Sequence, residues 1–253
     1  MGADRFYVPG SSPLHRLAPQ VKIVAVLTFV ILVVLTPRDW IAAFGVDAVL
    51  LGFVVVIAGL APGLMARRMA IELPFVVFAL LLPLLGHGPD VQVGPLSLSE
   101  PGLWAAWNIL VKGTLGVAAS VILAATTSPG EFIAGLTRLR VPGLLVQITA
   151  FMIRYLDVVA GEAARMKVAR ASRGFAAANV RAWPDLARSL GTLFIRTYER
   201  GERVHTAMLS RGYDGRTIAW GEAAAASSAS SWAVGLALPV GALAATAAVA
   251  VLR

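Results

Sequence analysis

The stretch Ile41–Ala61, IAAFGVDAVLLGFVVVIAGLA, is apolar throughout except for one charged residue, Asp47. A helix of about 20 apolar residues is long enough to cross a hydrocarbon core of about 30 Å. A backbone in lipid must satisfy its own hydrogen bonds, which a helix does within a single segment. The stretch therefore predicts a transmembrane helix and points to an all-α membrane protein.

Four further apolar runs make the predicted protein polytopic, with about five transmembrane helices in all. They are Val21–Thr36, Ile71–Gly86, Leu103–Thr127 and Trp232–Leu252. The first lacks a small-residue cleavage site after it, so we expect a retained span rather than a signal peptide. Pro74 and Pro83 interrupt the run Ile71–Gly86. Because proline removes a backbone donor, a kinked or partly re-entrant helix is expected there, and the exact number of spans stays open.

The composition of the 253 residues agrees with this class. Hydrophobic residues make up 58% of the chain and charged residues only 14%, against roughly a quarter charged in ordinary soluble domains. This excludes a disordered chain, a nucleic-acid-binding tail and most water-soluble enzymes. The absence of cysteine excludes disulfides, thiolate metal sites and cysteine nucleophiles.

Basic residues are concentrated in one part of the chain. Residues 131–221 contain fourteen of the 22 Lys and Arg and seven of the 14 acids, whereas the loop 87–102 contains no Lys or Arg. Basic loops favour the cytoplasmic side of a membrane. We therefore expect a multi-pass protein of the cell membrane with its N-terminus and residues 131–221 in the cytoplasm.

Within residues 141–213 the apolar residues become periodic. Leu145, Ile148, Met152 and Leu156 fall at helical spacing, and a similar pattern begins after Pro184. These patterns predict two long amphipathic helices, each of about 25 to 30 residues. The predicted organisation is thus an N-terminal membrane part (1–140), a basic cytoplasmic region (141–221) and a C-terminal transmembrane helix (222–253).

Both amphipathic helices end in the same motif, Ser172-Arg173-Gly174 and Ser210-Arg211-Gly212, each followed by an aromatic residue. A helix C-cap explains one such motif, because glycine readily adopts the left-handed conformation and arginine complements the negative helix end. Its repetition at the ends of two similar helices favours a second role. Each helix would present a guanidinium group to a cytosolic partner.

These segments resemble the transmembrane T component of energy-coupling factor (ECF) transporters, closest to the cobalt-type CbiQ branch. The segments that carry the resemblance are MKVARASRGF (Met166–Phe175), RSLGTLFIRTYERGERVHTAMLSRGYDG (Arg188–Gly215) and the weaker SSPLHRLAPQVKI (Ser11–Ile23). Both Ala-Arg-Gly motifs usual in that family appear here as Ser-Arg-Gly. The family's Asp and Arg of the N-terminal motif appear as Ala18 and Gln20.

The resemblance implies a non-catalytic subunit that links two cytosolic ATPase subunits to a separate substrate-binding membrane subunit, the S component. Arg173 and Arg211, with the Ser and Gly on either side of each, would bind grooves on the ATPases. Arg170, within Ala169-Arg170-Ala171, gives a competing register for the first motif. ATP and Mg would be bound by the ATPases, and no cofactor by this chain. Cobalt is the implied cargo, although nickel or a vitamin, and a shared T component, stay open.

Other chemistries find little support in the sequence. No Walker-type phosphate loop occurs, and His15, His87 and His205 lie on separate segments. Three acids lie among arginines at helical spacing: Glu162, Glu199 and Glu202. This spacing predicts intrahelical ion pairs.

Asp47 and Lys112 lie within predicted spans, where charge is expensive and is usually paired or functional. Both lie near the outer ends of their helices, so we hypothesise a structural ion pair, with a role in the cargo path as the alternative.

Two other functional classes are alternatives for this sequence. One is an integral membrane enzyme acting on lipid-linked phosphates, which usually needs clustered aspartates for a metal, whereas the acids of this chain are scattered. The other is a membrane anchor whose basic helices bind anionic lipid without transport. Neither class predicts stoichiometric association with an ATPase pair, which the transporter subunit requires. None of these three classes predicts a nucleic-acid partner.

Overall fold

A computed structural model describes residues 6–86, 89–93, 96–174, 183–215 and 229–251, and most of these are helical. The helices are α1 (Pro13–Arg16), α2 (Pro19–Leu35), α3 (Ile41–Ala58), α4 (Pro62–Met69), α5 (Leu73–Leu85), α6 (Glu100–Thr126), α7 (Pro129–Arg138), α8 (Gly143–Ser172), α9 (Trp183–Leu209) and α10 (Ala229–Val251). The prediction of an all-α polytopic membrane protein is confirmed.

Five helical segments are long and apolar enough to cross a membrane, but they are not the same five as predicted. They are Ile41–Ala58, Pro62–Leu85, Glu100–Thr126, Gly143–Ser172 and Ala229–Val251. Helix α8 qualifies because the apolar residues are concentrated in its N-terminal half, where the sequence had indicated only an amphipathic pattern. Helix α2 is apolar but has only 17 residues, near the lower limit of about 17 for a membrane-spanning helix.

The predicted interruption of the third span lies earlier than its prolines indicate. A 3₁₀ turn at Ala70–Glu72 separates α4 from α5, and Pro74 falls in the first turn of α5. That position suits proline because its missing N–H would have no helical partner there. Pro83 is buried inside α5. A Cβ atom on Gly102 of α6 would lie 2.6 Å from the Leu82 carbonyl oxygen, so the two helices approach closely beside Pro83.

The predicted loop between the third and fourth spans contains a short β-hairpin. Strand β1 (Asp90–Val93) pairs antiparallel with β2 (Leu96–Ser99), with Asp90 opposite Ser99. Helix α6 begins directly after β2, three residues before the predicted boundary at Leu103.

Helix α7 was not predicted, although its start has a recognisable signal. The Ser128 amide donates to Glu131 Oε2 at 2.9 Å, and the Glu131 amide donates to Ser128 Oγ at 3.3 Å. This reciprocal pair is a capping box, which satisfies two of the free donors at a helix start. The sequence Ser-Pro-Gly-Glu at residues 128–131 was therefore sufficient to indicate the helix.

The chain forms two compact units. One contains the described residues between Leu136 and Glu222, which include α8 and α9. The other comprises Phe6–Gly135 with the described part of Ala223–Arg253 and contains α1 to α6 and α10. We call them the helical-pair unit and the membrane unit.

In the membrane unit, α2 and α3 each pack against both α6 and α10. Phe29, Val33, Leu51 and Ile122 belong to the buried core. Close approach of α10 to α2 requires glycine, because a Cβ atom on Gly235 would lie only 2.1 Å from Val21 Cγ1. Small residues permit this kind of helix packing in membranes.

The N-terminal segment is fastened to the last turn of α6. The Val8 amide donates to the Ala125 carbonyl at 2.9 Å, and Lys22 Nζ donates to the carbonyls of Thr126 at 2.7 Å and His15 at 3.2 Å. Carbonyl groups in the last turn of a helix have no helical partner, so these contacts satisfy them.

His15 completes this arrangement. Its Nε2 lies 3.0 Å from the Val8 carbonyl and its Nδ1 lies 2.7 Å from Ser12 Oγ. The carbonyl can only accept, so Nε2 carries a proton and donates to it. The residues Ser11–Ile23, which carried the weaker part of the family resemblance, thus have a structural role.

The hypothesis that Asp47 and Lys112 form an ion pair is wrong. Lys112 Nζ instead donates to the Val34 carbonyl at 2.7 Å, in the last turn of α2. Asp47 is 1% exposed, and neither of its carboxylate oxygens has a partner within the described part of the chain. A free helix-end carbonyl competes for the lysine, and sequence spacing alone does not reveal that acceptor.

Candidate functional site

The first candidate arginine caps the C-terminus of α8. The Arg173 amide donates to the Arg170 carbonyl at 3.0 Å, and the Gly174 amide donates to the Ala171 carbonyl at 3.0 Å. Gly174 has φ +78°, the left-handed conformation that glycine adopts without a steric cost. Ser172 Oγ donates to the Ala169 carbonyl at 3.0 Å. The glycine thus ends the helix immediately after the arginine.

The second motif reproduces this geometry at the end of α9. The Arg211 and Gly212 amides donate to the carbonyls of Met208 and Leu209, each at 3.0 Å, and Gly212 has φ +84°. Ser210 Oγ donates to the Ala207 carbonyl, also at 3.0 Å. Every hydrogen bond described for the first motif therefore has a counterpart in the second.

One further hydrogen bond completes the second cap. The Tyr213 amide donates to the Met208 carbonyl at 3.0 Å, which together with the Gly212 bond forms a Schellman motif. Phe175, the corresponding aromatic residue of the first motif, lies outside the described residues. The capping interpretation of Ser-Arg-Gly is thus correct locally, and it leaves the arginine side chains available.

Both arginine side chains are exposed, and neither forms an ion pair with another described residue. Most arginines of α9 that have a nearby acid do pair, as Arg188 does with Asp185 at 2.9 Å. Arg170, the alternative in the first motif, differs from Arg173 because it is half-buried and its Nε is enclosed without a hydrogen-bond partner in the described part of the chain.

Glu162 connects the two long helices. Its Oε2 accepts from Arg165 Nη2 of the same helix at 2.6 Å, and its Oε1 accepts from Arg196 Nη1 of α9 at 2.6 Å. The helical spacing predicts the contact between Glu162 and Arg165. It carries no information about the contact between Glu162 and Arg196, which the sequence analysis missed. Glu199 forms a looser intrahelical contact with Arg203, at 3.9 Å.

A second contact between the helices involves the aromatic residue of the second motif. The Gln147 side-chain amide donates to the Tyr213 hydroxyl. Residue 147 near the start of α8 thus meets residue 213 after the end of α9, while Glu162 meets Arg196. Because later residues of α8 meet earlier residues of α9, the helices run antiparallel.

This antiparallel arrangement places the two arginines at opposite ends of the pair. Arg173 lies 11 residues after Glu162, and Arg211 lies 15 residues after Arg196. With a rise of about 1.5 Å per residue, the two arginines are about 40 Å apart along the pair. A single small ligand cannot contact both guanidinium groups at that distance.

The helical-pair unit also presents apolar side chains. Among its described residues α9 contains no buried one, and Leu190, Phe194 and Tyr198 are 58%, 69% and 59% exposed. They recur at i, i+4 and i+8 and form one continuous stripe. Exposed apolar surfaces of this kind mark sites of contact with another protein or with lipid.

The described residues contain no group of three His, Asp or Glu side chains that could hold a metal ion. His15 is held by Ser12 and Val8, and His205 is exposed on α9. His87 lies outside the described residues.

Comparison with known proteins gives one family. A family model described as cobalt transport protein, CbiQ, matches residues 10–219. An energy-coupling factor transporter transmembrane protein EcfT from Thermosediminibacter oceani is 27% identical over 222 residues, covering 83% of each chain. EcfT from Bacillus selenitireducens is also 27% identical, over 85% of this chain and 87% of its own. A cobalt transport protein CbiQ from Rhodobacter capsulatus is 28% identical, over 49% of this chain and 52% of its own.

Proposed function

Because this chain belongs to the CbiQ family of cobalt transport proteins and is a multi-pass membrane component of a transporter, we propose that it couples ATP hydrolysis by two cytosolic ATPase subunits to the movement of a separate substrate-binding membrane subunit. The observation that carries the proposal is the pair of similarly capped arginines at opposite ends of the pair formed by α8 and α9. Two equal sites about 40 Å apart suit two copies of an ATPase better than they suit one ligand.

Arginine is suited to such a contact. Its guanidinium group is always charged and presents five donors in a planar fork, which can bind one carboxylate through two parallel hydrogen bonds. The helix C-cap holds the backbone of each arginine in a defined conformation. An ATPase groove with an acidic residue at its base would therefore receive Arg173 at one end and Arg211 at the other, while Ser172, Gly174, Ser210 and Gly212 shape the tips.

The apolar stripe of α9 supplies the other contact. We assign Leu190, Phe194 and Tyr198 to the S component, since a substrate-binding membrane subunit offers an apolar surface and the stripe is exposed in this chain. ATP-driven closure of the two ATPases would then move the helix pair and reorient the subunit packed on it.

The same proposal includes a cargo and an orientation in the membrane. Cobalt is the proposed cargo, carried by the S component rather than by this chain, and ATP and Mg belong to the ATPases. The N-terminus and residues 131–221 lie in the cytoplasm, where the ATPases are, as the distribution of basic residues favours. The chain itself makes and breaks no bonds.

The test is co-purification of the full chain in detergent with the ATPase subunits of the same cell. We expect the wild type to capture both ATPases and the double variant Arg173→Ala, Arg211→Ala to lose them. A second double variant, Lys167→Ala with Arg200→Ala, removes the same charge from exposed positions along the two helices and serves as the matched control.

Equal loss in both double variants would show that overall charge, and not the tips, controls the association. Absence of ATPase from the wild type, in a sample that elutes as one folded species, would reject the coupling role. The distance between the arginines also separates this proposal from a lipid-phosphate enzyme, in which clustered cations would bind one phosphate group.

A further inference from the structure

A cavity of about 780 Å³ lies inside the membrane unit, and the proposed coupling role does not use it. It is situated between α2 and α3, with α6 and α10 as its remaining walls. Leu50, Val54, Leu123 and Leu238 are among its lining residues. Its volume falls within the range of about 300–1,000 Å³ that is typical of sites for small molecules.

The cavity lies in one half of the helix bundle formed by α2, α3, α6 and α10. Its lining comes from the N-terminal half of α2, the C-terminal halves of α3 and α6 and the N-terminal half of α10. These segments lie on one side because successive helices run in opposite directions. Pro13, Leu14 and Leu17, in and beside α1, close that end.

The polar groups are confined to the end beside α1. Lys22 and Thr126 are the only residues with hydroxyl or charged side chains among those described as lining the cavity. Lys22 Nζ has three donors, of which two bind the carbonyls of Thr126 and His15. One donor of a buried ammonium group therefore remains for an acceptor at this end of the cavity.

A second cation stands beside the same end. Arg16 lies in sequence between the lining residues Leu14 and Leu17, is exposed, and forms no ion pair with any described residue. Glu131 acts on Lys22 electrostatically and offsets part of its positive charge. Arg16 directly follows His15, whose carbonyl binds Lys22 Nζ, so a second positively charged residue lies near this end of the cavity.

The cavity is accessible from the side. Phe53 of α3 and Val234 of α10 both line it, yet they are 64% and 60% exposed. In a membrane, side chains that are exposed on a spanning helix face lipid tails, so an acyl chain can enter between these two helices.

We propose that this cavity binds one acyl chain of an anionic phospholipid, whose phosphate group lies at Arg16 and Lys22. The apolar walls hold the tail with its end toward the middle of the bilayer, and the cations hold the head at the α1 side. The directions of tail and head match those of a lipid in the adjacent leaflet. The site shares no residue with the two arginine tips.

The test uses the full chain in membrane vesicles that contain phosphatidylglycerol or phosphatidylcholine with the same photoactivatable acyl chain. Adducts are mapped to peptides after illumination. We expect labelling of Leu50–Ile57 and Leu123 to exceed that of Leu27 and Val34 on the exposed face of α2, and to be stronger with phosphatidylglycerol.

Substitutions test the binding of the acyl tail and of the head group separately. Ala237→Phe places a ring in the cavity and should lower its labelling by about tenfold, because it displaces several methylene groups from apolar surroundings. Ala244→Phe makes the same change at an exposed position of α10 that does not line the cavity, and should leave labelling unchanged. Arg16→Gln should abolish the preference for phosphatidylglycerol while tail labelling persists.

Val54→Phe fills the cavity from the opposite wall, so the test does not depend on one variant remaining folded. Unchanged cavity labelling in both filled variants, each eluting as one species, would overturn the proposal. So would equal labelling of the cavity and of the exposed face of α2, which indicates bulk lipid. Equal labelling by the two lipids in the wild type would overturn the assignment of the anionic head.

Discussion

The Glu162 carboxylate and the Arg196 guanidinium lie 34 residues apart in the chain and meet at 2.6 Å. This contact joins α8 to α9 between the two arginine tips. Glu162 side-chain atoms are 18% exposed, whereas the other ion pairs of α9 involve more accessible acids. An ion pair gains strength as solvent is excluded from it, so this pair is the best placed to hold the helices together.

We first predict that the tips are about 40 Å apart and that this distance depends on Glu162. Because the chain contains no cysteine, Ser172→Cys and Ser210→Cys provide the only labelling sites for spin labels. Pulsed electron spin resonance should give one distance distribution near about 40 Å. Glu162→Gln should broaden it, because the neutral amide no longer pairs with Arg196.

Glu199→Gln is the control for that experiment, since Glu199 pairs only within α9 at 3.9 Å. Its distribution should match that of the parent. A distribution centred at less than half of the expected distance would show that the helices are not antiparallel.

We next predict opposite effects for one substitution at different glycines. Gly174→Ala and Gly212→Ala should each destabilise the local cap by about 1–2 kcal/mol, because an L-residue is strained at positive φ. Gly201→Ala, inside α9, should stabilise the helix by about 0.8–1.0 kcal/mol. None of the three added methyl groups meets a neighbour within 4 Å. Thermal unfolding in detergent, followed by circular dichroism, measures the sign of each change.

The coupling proposal predicts that lysine cannot replace the tip arginines. Arg173→Lys with Arg211→Lys keeps the charge but loses the paired hydrogen bonds, and a hydrogen bond to a charged group contributes about 1.5–3 kcal/mol. ATPase capture should therefore weaken by about tenfold or more. Lys167→Arg with Arg200→Lys preserves charge away from the tips and should bind as the wild type does. Full capture by the tip lysine variant would argue for simple charge attraction.

The last prediction concerns Asp47 and Lys112, which the structure does not pair. Asp47→Asn should maintain or raise the unfolding temperature, because it removes an unpartnered buried carboxylate. Lys112→Gln should lower it by removing the bond to the Val34 carbonyl. For independent sites the two effects should add within about 0.3–0.5 kcal/mol. A larger coupling energy in the double variant would instead indicate that Asp47 and Lys112 form an ion pair.

The sequence predicted those features that depend on neighbouring residues. Apolar length indicated the spans, as at Ile41–Ala58, and the Ser-Arg-Gly letters indicated both helix ends. The capping box at Ser128 was equally local and could have revealed α7.

Contacts between distant residues could not be predicted in the same way. Arg196 has one acid, Glu199, at helical spacing on its own helix, and nothing in its neighbourhood favours Glu162 on α8. Lys112 has a helix-end carbonyl as its partner, and a backbone acceptor carries no sequence signature. The cavity depends on how four helices are spaced, which the apolar pattern of any one helix does not define.

The antiparallel direction of α8 and α9 has a mechanical consequence. A rigid body held at a single point can only be pulled or pushed, whereas one held at two ends can also be turned. Equal displacements of Arg173 and Arg211 translate the helix pair, and opposite displacements rotate it about an axis near the Glu162–Arg196 contact. The residues closest to that axis would move least, so the same ion pair that joins the helices lies at the natural pivot for their rotation.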